Sequence, residues 1–331
     1  MTVPHPGFTS ERAKAGLMRT FAGWKATLAG ELRSKLRPLH GGFRDVPGVL
    51  MQHHAQKRWD ERVPGRAHGL AHPLIVSLTS YPPRFPTLAL TLKCLLTQSV
   101  AADRVVLWVT REDFGLLPAE VIDLRDEGLD IRLAPELRSF KKLVPALQAH
   151  PDAFIVTADD DVSYASDWLA RLVSRYRPAR REIVAARVHR IVIDETGQPL
   201  PYARWRFDIK PGAASPLNLA TGVGGILYPP GSLHADATNA ELFLRLCPTH
   251  DDLWFYMMTR RAGFRVAKAG PRQRFISWAG SQQTALQHVN VVEGGGNDVH
   301  FRRLIEHFGA PFDIGPTSRA AKRVLSRMEA S

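Results

Sequence analysis

The chain has 331 residues, of which 44% are hydrophobic and 23% are charged, and it carries a net charge of +12. These values are ordinary for a globular protein and exclude a wholly disordered chain, a collagen-like repeat and a coiled-coil rod. No apolar run reaches the roughly 18 to 20 residues that span a bilayer, and the first residues lack the apolar core of a secretory signal. The two cysteines, Cys94 and Cys247, are too few for a disulfide framework, so we expect buried thiols in a cytoplasmic protein.

The basic excess is concentrated in residues 1–70, which hold 12 Lys or Arg and 5 Asp or Glu. Apolar residues recur there at three- and four-residue steps, which predicts a helix within residues 10–40, with one face formed by Leu17, Phe21, Trp24, Leu28, Leu32 and Leu36. The sequence is compatible with two partners for the apolar face of this helix. It would pack either on the rest of the protein or on the inner face of an anionic membrane. We therefore expect a basic helical extension over residues 1–70, with or without peripheral membrane contact.

From residue 73 onward, short apolar runs alternate with stretches of helical spacing. Strands are predicted over residues 73–79, 104–110, 129–134, 153–158 and 182–188. Helices are predicted over residues 87–98, 118–126, 140–150 and 166–176, the last with Ser166 as its N-cap. This alternation predicts an α/β domain with an open, mostly parallel twisted sheet flanked by helices. We place the domain at residues 71–310 and a basic tail at residues 311–331.

Three consecutive carboxylates, Asp159, Asp160 and Asp161, follow the strand at 153–158. Open α/β sheets bind ligands at the carboxyl ends of their strands, and a divalent cation such as Mg²⁺ or Mn²⁺ would offset the repulsion between these acids. In an extended segment the side chains of Asp159 and Asp161 would share one face. The alternative is an Asp-rich turn without a ligand.

A second acidic pair, Asp251 and Asp252, has two interpretations. A carboxylate held in a site is a candidate general base for a hydroxyl group. The segment from Thr249 to Asp252 also fits a capping box, with both acids in the first turn of a helix and Gly263 just past its end. Both interpretations can hold for the same segment.

Glycines interrupt the apolar stretch at residues 221–230, where they predict a close approach of the backbone to a ligand or to a neighbouring strand. The aromatic side chains of Tyr202 and Trp205 lie just upstream. Each would either stack on a ligand or pack inside the protein.

Five motifs in order resemble the GT-A class of nucleotide-sugar glycosyltransferases, in particular bacterial family 2-like enzymes. They are VSLTSYPPRFPTLALTLKCLLTQS, FKKLVPAL, IVTADDDVSY, TGVGGILYPP and HDDLWFYMM. The resemblance covers about residues 73–305, and its third motif is similar to the metal-binding DXD motif of the class.

The resemblance implies a metal-dependent hexosyltransferase-type enzyme of polysaccharide or glycoconjugate synthesis. It would move a sugar, with inversion, from a nucleotide-diphosphate sugar to a carbohydrate or lipid-linked glycan. Implied donor contacts are Ser80, Arg84, Lys141, Lys142, Asp159 and Asp160. Implied acceptor contacts are Gly224, Gly225 and Trp205. Implied ligands of Mn²⁺ or Mg²⁺ are Asp159, Asp161 and a later histidine, His300 or His288. The implied base is Asp252, with Asp251 as second choice.

Two other functions compete with this one. A sugar nucleotidyltransferase shares the sheet and the acidic metal site, but it should carry a glycine-rich loop after the first strand, where this chain has TSYPPRF. A basic module that binds nucleic acid or a membrane predicts basic residues interleaved with aromatics across the whole domain. Here the basic excess is concentrated in residues 1–70, so we expect no nucleic-acid partner.

Overall fold

The structure is a computed structural model that describes residues 50–273, 275–278 and 296–312. The helix predicted within residues 10–40, the candidate ligand His288 and the basic tail from residue 313 lie outside the described residues. The described strands are β1 Leu74–Thr79, β2 Arg104–Val109, β3 Leu129–Leu133, β4 Phe154–Thr157, β5 Val162–Ser163, β6 Glu182–Arg190, β7 Asn218–Tyr228, β8 Arg265–Lys268 and β9 Ile276–Ser277. The described helices are α1 at 50–60, α2 Phe85–Leu96, α3 Arg111–Phe114, α4 Ala119–Asp123, α5 Val144–Ala149, α6 Trp168–Arg175, α7 Ala240–Leu246, α8 Asp251–Arg261 and α9 Gly296–Phe308.

Seven of these strands form one sheet in the order β3-β2-β1-β4-β7-β6-β8. Strands β1 to β4 pair with one another in parallel, and β6 pairs with β8 in parallel. Strand β7 runs antiparallel to both of its neighbours, β4 and β6. The predicted class, an α/β protein with an open, mostly parallel sheet flanked by helices, is confirmed.

Both faces of the central part of the sheet are buried, which is why β1, β2 and β4 are almost continuous apolar runs. Along β1, Ile75 packs into the hydrophobic core on one face, while Leu74 and Val76 pack into the core on the other. The two predicted buried thiols, Cys94 and Cys247, are free and lie in opposite cores.

Two predicted helices differ in detail from the structure. The helix predicted over 140–150 is a short 3₁₀ turn at Arg138–Lys142 followed by α5, because Pro145 sits in the first turn of α5, where its missing N–H costs nothing. The prediction that Ser166 caps the next helix is wrong. Helix α6 begins after Asp167, which makes no side-chain capping hydrogen bond.

Helix α1 falls within the segment predicted as the N-terminal extension, and it contacts the sheet domain. Ala55 is buried in one of the two cores, and the Arg58 guanidinium donates to the carbonyls of Cys94 and Tyr164 and to the Thr97 hydroxyl. The division of the chain at residues 70 and 71 stays a prediction. Across the described residues, no helix combines the length and the apolar character needed to cross a membrane.

Candidate active site

The loop after β1 meets the acidic triplet at the carboxyl edge of the sheet. Strands β1 and β4 are parallel neighbours, so the residues that follow them emerge side by side. The Ser80 hydroxyl donates to Oδ2 of Asp160 at 2.6 Å. Nη1 of Arg84 lies 2.5 Å from Oδ2 of Asp161. Two of the predicted donor contacts therefore lie against the predicted acidic site.

Backbone hydrogen bonds hold the triplet in place. The Asp159 N–H donates to the Tyr164 hydroxyl at 2.8 Å, and the Thr91 hydroxyl donates to the Asp160 carbonyl at 2.8 Å. Directly after the triplet, β5 pairs with β9 in a separate two-stranded sheet. Strand β4 ends at Thr157, so the alternation of an extended strand does not continue through the triplet. The prediction that the side chains of Asp159 and Asp161 share one face assumed that alternation. That they act together on one ligand stays a prediction.

Lys142 joins the triplet to the second acidic pair. Its Nζ lies 3.5 Å from Oδ1 of Asp159 and 3.1 Å from Oδ2 of Asp251, and its side chain is 12% exposed. The Ser77 hydroxyl fixes the Lys142 backbone by donating to its carbonyl at 2.6 Å. Burial alone would lower the pKa of the Lys142 ammonium. The neighbouring carboxylates, Asp251 most strongly, outweigh burial and hold that pKa well above its ordinary value.

Both acids of the second pair lie in the first turn of α8, but their side chains reach other elements. Oδ1 of Asp251 accepts a hydrogen bond from the Ser139 hydroxyl at 2.9 Å, and Oδ1 of Asp252 accepts one from the Gly222 N–H at 2.8 Å. The N-cap residue is His250, which makes no side-chain capping hydrogen bond, so the predicted capping box is wrong. The predicted end of the helix is confirmed, since Gly263 follows it with a φ of +76°.

Two carboxyl groups titrate near neutral pH. Burial raises the pKa of Asp252 to about 7, and the charge of Asp251 adds to this effect while Lys142 opposes it. Burial also raises the pKa of Asp160 to about 7, against the hydrogen bond from Ser80. A carboxyl group with a pKa near the working pH suits proton transfer, and this property favours Asp252 as a base.

The glycines of β7 approach two different neighbours. A Cβ on Gly222 would lie 2.6 Å from Nζ of Lys142 and 3.2 Å from Oδ1 of Asp252, so a larger residue would displace the Lys142 ammonium from its present position. Gly224 and Gly225 have positive φ angles, and a Cβ there would lie 2.0 Å from the Phe275 ring and 2.6 Å from the Trp168 ring. Close approach at these glycines is confirmed. The neighbours are side chains and, at Gly225, also the neighbouring strand β4, because the Thr157 carbonyl oxygen would lie 2.8 Å from a Cβ there. Contact of Gly224 and Gly225 with an acceptor stays a prediction.

Three other predicted site residues have partners away from the triplet. Lys141 is buried and pairs with Glu136. Trp205 is 5% exposed, and its Nε1 donates to the Leu200 carbonyl. Nδ1 of His300 lies 2.8 Å from Nδ1 of His250, next to the second acidic pair. Their predicted roles in donor, acceptor and metal binding stay predictions.

The described residues contain no group of three or more His, Cys, Asp or Glu side chains that could hold a metal ion. A magnesium ion that bridges substrate phosphates, however, commonly takes only one or two protein carboxylates. Asp159 and Asp161 supply that number of hard oxygen ligands. Beside them, the buried Nε of Arg84 has no hydrogen-bond partner among the described residues, so a donor is left for a bound anion.

Several residues that shape the site were not predicted from the sequence. Ser139 and Tyr164 position the acids through the hydrogen bonds given above, and both lie inside or beside motifs already noted. Arg187 of β6 donates through Nε to the Thr221 hydroxyl at 2.7 Å, and its charge lowers the pKa of Asp252. No sequence pattern points to Arg187, because only strand pairing brings it to the site.

Neither protein-family models nor curated protein sequences match this chain. A solved structure of the mannosyltransferase PcManGT from Pyrobaculum calidifontis, in complex with GDP-Man and Mn²⁺, is similar with 16% identity and a TM-score of 0.37, over 86% of this chain and 87% of that one. The inositol-1-phosphate CTP transferase from T. maritima is similar with 11% identity and a TM-score of 0.35, over 72% of this chain and 98% of that one. At these TM-scores neither likeness bears on the function of this chain.

Proposed function

We propose that the chain is a metal-dependent glycosyltransferase that moves a sugar from a nucleotide-diphosphate sugar to a hydroxyl group of a carbohydrate or lipid-linked glycan. The observation that carries this proposal is the position of Lys142. Its ammonium lies between Asp159 and Asp251, so the predicted donor side and the predicted base side form one continuous site. Transfer of a sugar needs these two functions within reach of one anomeric carbon.

The donor side would be formed by the loop after β1 and the triplet. The Arg84 guanidinium can donate two parallel hydrogen bonds to an anion. Its buried Nε has no hydrogen-bond partner among the described residues, so this N–H is suited to donate to a diphosphate oxygen. Asp159 and Asp161 would hold Mg²⁺ or Mn²⁺ together with the substrate phosphates. When bound, the metal would stabilise negative charge on the departing nucleoside diphosphate.

The acceptor side would be formed by Asp252 at the start of α8. As the acceptor oxygen bonds to the anomeric carbon and the bond to the diphosphate breaks, Asp252 would take the acceptor proton. A single displacement of this kind inverts the anomeric centre. Asp251 is less suited to the role because Ser139 and Lys142 already engage both of its oxygens.

Calorimetric titration with UDP, GDP, CDP and ADP, each with and without Mn²⁺, tests the proposal. At least one diphosphate should bind, and it should bind more tightly with the metal. The matching nucleotide sugar should then release nucleoside diphosphate in the presence of an acceptor. A sugar nucleotidyltransferase would instead consume a nucleoside triphosphate and release pyrophosphate, and that result, or no binding of any diphosphate, would overturn the proposal.

A further inference from the structure

Next to Asp252 lies a cationic and aromatic surface that the proposed reaction has not used. We propose that Arg187, Tyr202 and Phe207 form an acceptor subsite for a sugar that carries an anionic group, either a phosphate or a carboxylate. This inference rests on the proposed function, because it identifies the chemical class of the acceptor at the same site.

Strand pairing places Arg187 beside the proposed base. Arg187 is paired with Thr221 across β6 and β7, directly after a shift in their register, and its Nε donates to the Thr221 hydroxyl. The next residue along β7 is Gly222, whose N–H donates to Asp252. The residue that contacts Arg187, Thr221, therefore directly precedes the residue that contacts the proposed base, Gly222.

The remaining donors of Arg187 are available for a ligand. Within the described residues, its Nη1 and Nη2 have no hydrogen-bond or ion-pair partner, although the side chain is half-buried. Arg187 and His189 are two residues apart on β6, so their side chains lie on the same face of the sheet, and the His189 ring contacts those of Tyr202 and Phe207. A half-buried guanidinium with its planar fork free is suited to a bidentate contact with a phosphate or a carboxylate.

An aromatic surface adjoins this cation. The ring of Phe207 is 50% exposed, and its centroid lies 5.2 Å from that of Tyr202 and 4.9 Å from that of His189. Tyr202 in turn packs at 5.0 Å against buried Trp205. Trp205 thus supports the half-buried ring of Tyr202, and Tyr202 in turn contacts the exposed ring of Phe207. Exposed aromatic faces bind the apolar faces of sugars, so the surface fits a sugar ring whose anionic substituent reaches Arg187.

The test measures binding of glucose, glucose 6-phosphate, glucuronic acid and inorganic phosphate to the full-length protein by calorimetry. The wild type should bind at least one of the two anionic sugars more tightly than glucose. Arg187→Gln should weaken that binding about 10- to 100-fold, the effect of a charged hydrogen-bonding pair. Phosphate and carboxylate are distinguished by which of the two anionic sugars loses affinity.

Arg190→Gln is the matched control. Arg190 lies on the same strand, and its Nε donates to the Asn218 side chain at 2.7 Å, as Arg187 donates to Thr221. Its loss should leave sugar binding unchanged. A second variant, Phe207→Ala, removes a side chain that is 50% exposed, and it should weaken binding of neutral and anionic sugars alike.

Four results separate this inference from the proposed function. Equal binding of anionic sugars by the wild type and Arg187→Gln overturns it, and so does a wild type that binds inorganic phosphate as well as it binds the anionic sugars. Loss of nucleoside diphosphate binding in Arg187→Gln also overturns it, by assigning Arg187 to the donor. If no diphosphate binds the wild type but anionic sugars still bind through Arg187, the proposed function fails and the subsite stands.

Discussion

Replacement of Lys142 by methionine removes the positive charge between the two acidic groups while keeping a side chain of similar length. The ammonium lies 3.1 Å and 3.5 Å from carboxylate oxygens of Asp251 and Asp159, and only 12% of the side chain is exposed. Removal of one partner from a buried ion pair costs about 3 to 5 kcal/mol, because the remaining charge stays buried without compensation. Domains are usually stable by about 5 to 15 kcal/mol, so Lys142→Met should lose a large share of that stability.

The loss should depend on pH in a defined direction. Lys142 keeps its charge throughout the range from pH 5 to 8, since its pKa is held well above its ordinary value. Burial raises the pKa values of Asp159 and Asp252, and the charge of Lys142 opposes this rise. Without that charge the two pKa values rise further, so the folded protein binds still more protons than the unfolded chain, and its stability falls more steeply as pH rises. The difference in free energy of unfolding between wild type and Lys142→Met should therefore be larger at pH 8 than at pH 5, as measured by urea denaturation.

Lys141→Met provides the control from the neighbouring position. The side chain of Lys141 is 4% exposed, so it is more buried than that of Lys142, but its partner Glu136 has a side chain that is 59% exposed and stays hydrated when the lysine is lost. The cost at this position should be about 1 kcal/mol or less from the ion pair, with no growth between pH 5 and 8. Equal losses at the two positions, or a Lys142→Met loss that does not grow with pH, would refute the role given to Lys142.

Two further predictions concern neighbouring residues. Gly222→Ala should lower the free energy of unfolding by about 1 to 3 kcal/mol, because the added Cβ would lie 2.6 Å from Nζ of Lys142. The control Gly212→Ala should lower it far less, because the space around Gly212 is open. Chemical denaturation measures both losses. Asp160→Asn should remove a pH dependence: the pKa of Asp160 is raised from 3.8 to about 7, so it lowers wild-type stability as pH rises through that window. The unfolding free energy of the wild type should fall relative to Asp160→Asn between pH 4 and 7, and parallel profiles would contradict the assignment.

The sheet and the triplet were predictable because both depend on local sequence. Strands buried on both faces are continuous apolar runs, and Asp159 to Asp161 follow one of them directly. The loop with Ser80 and Arg84 was expected near the triplet from the resemblance, and the structure agrees because the carboxyl ends of the parallel strands β1 and β4 share one edge.

The sequence could not show that Lys142 brings the acidic triplet and the pair Asp251 and Asp252 into one site. Lys142 and Asp251 are far apart in the sequence, and nothing in FKKLVPAL tells which of two adjacent lysines points toward the acids. The capping-box prediction failed for a related reason. Asp252 finds the N–H of Gly222 across the site, and that tertiary hydrogen bond replaces the local one that the motif predicts.

The most direct test of the central claim is a calorimetric titration of nucleoside diphosphate with Mn²⁺ into the wild type, Asp161→Asn and Asp252→Asn. Asp161→Asn should weaken metal-assisted binding at least about tenfold, the cost of losing a charged partner. Asp252→Asn should bind like the wild type, yet turn over about 10²- to 10⁴-fold more slowly, which is the usual contribution of a positioned base. Unchanged binding in Asp161→Asn, or normal turnover in Asp252→Asn, would contradict the division of this site into a donor side and a base side.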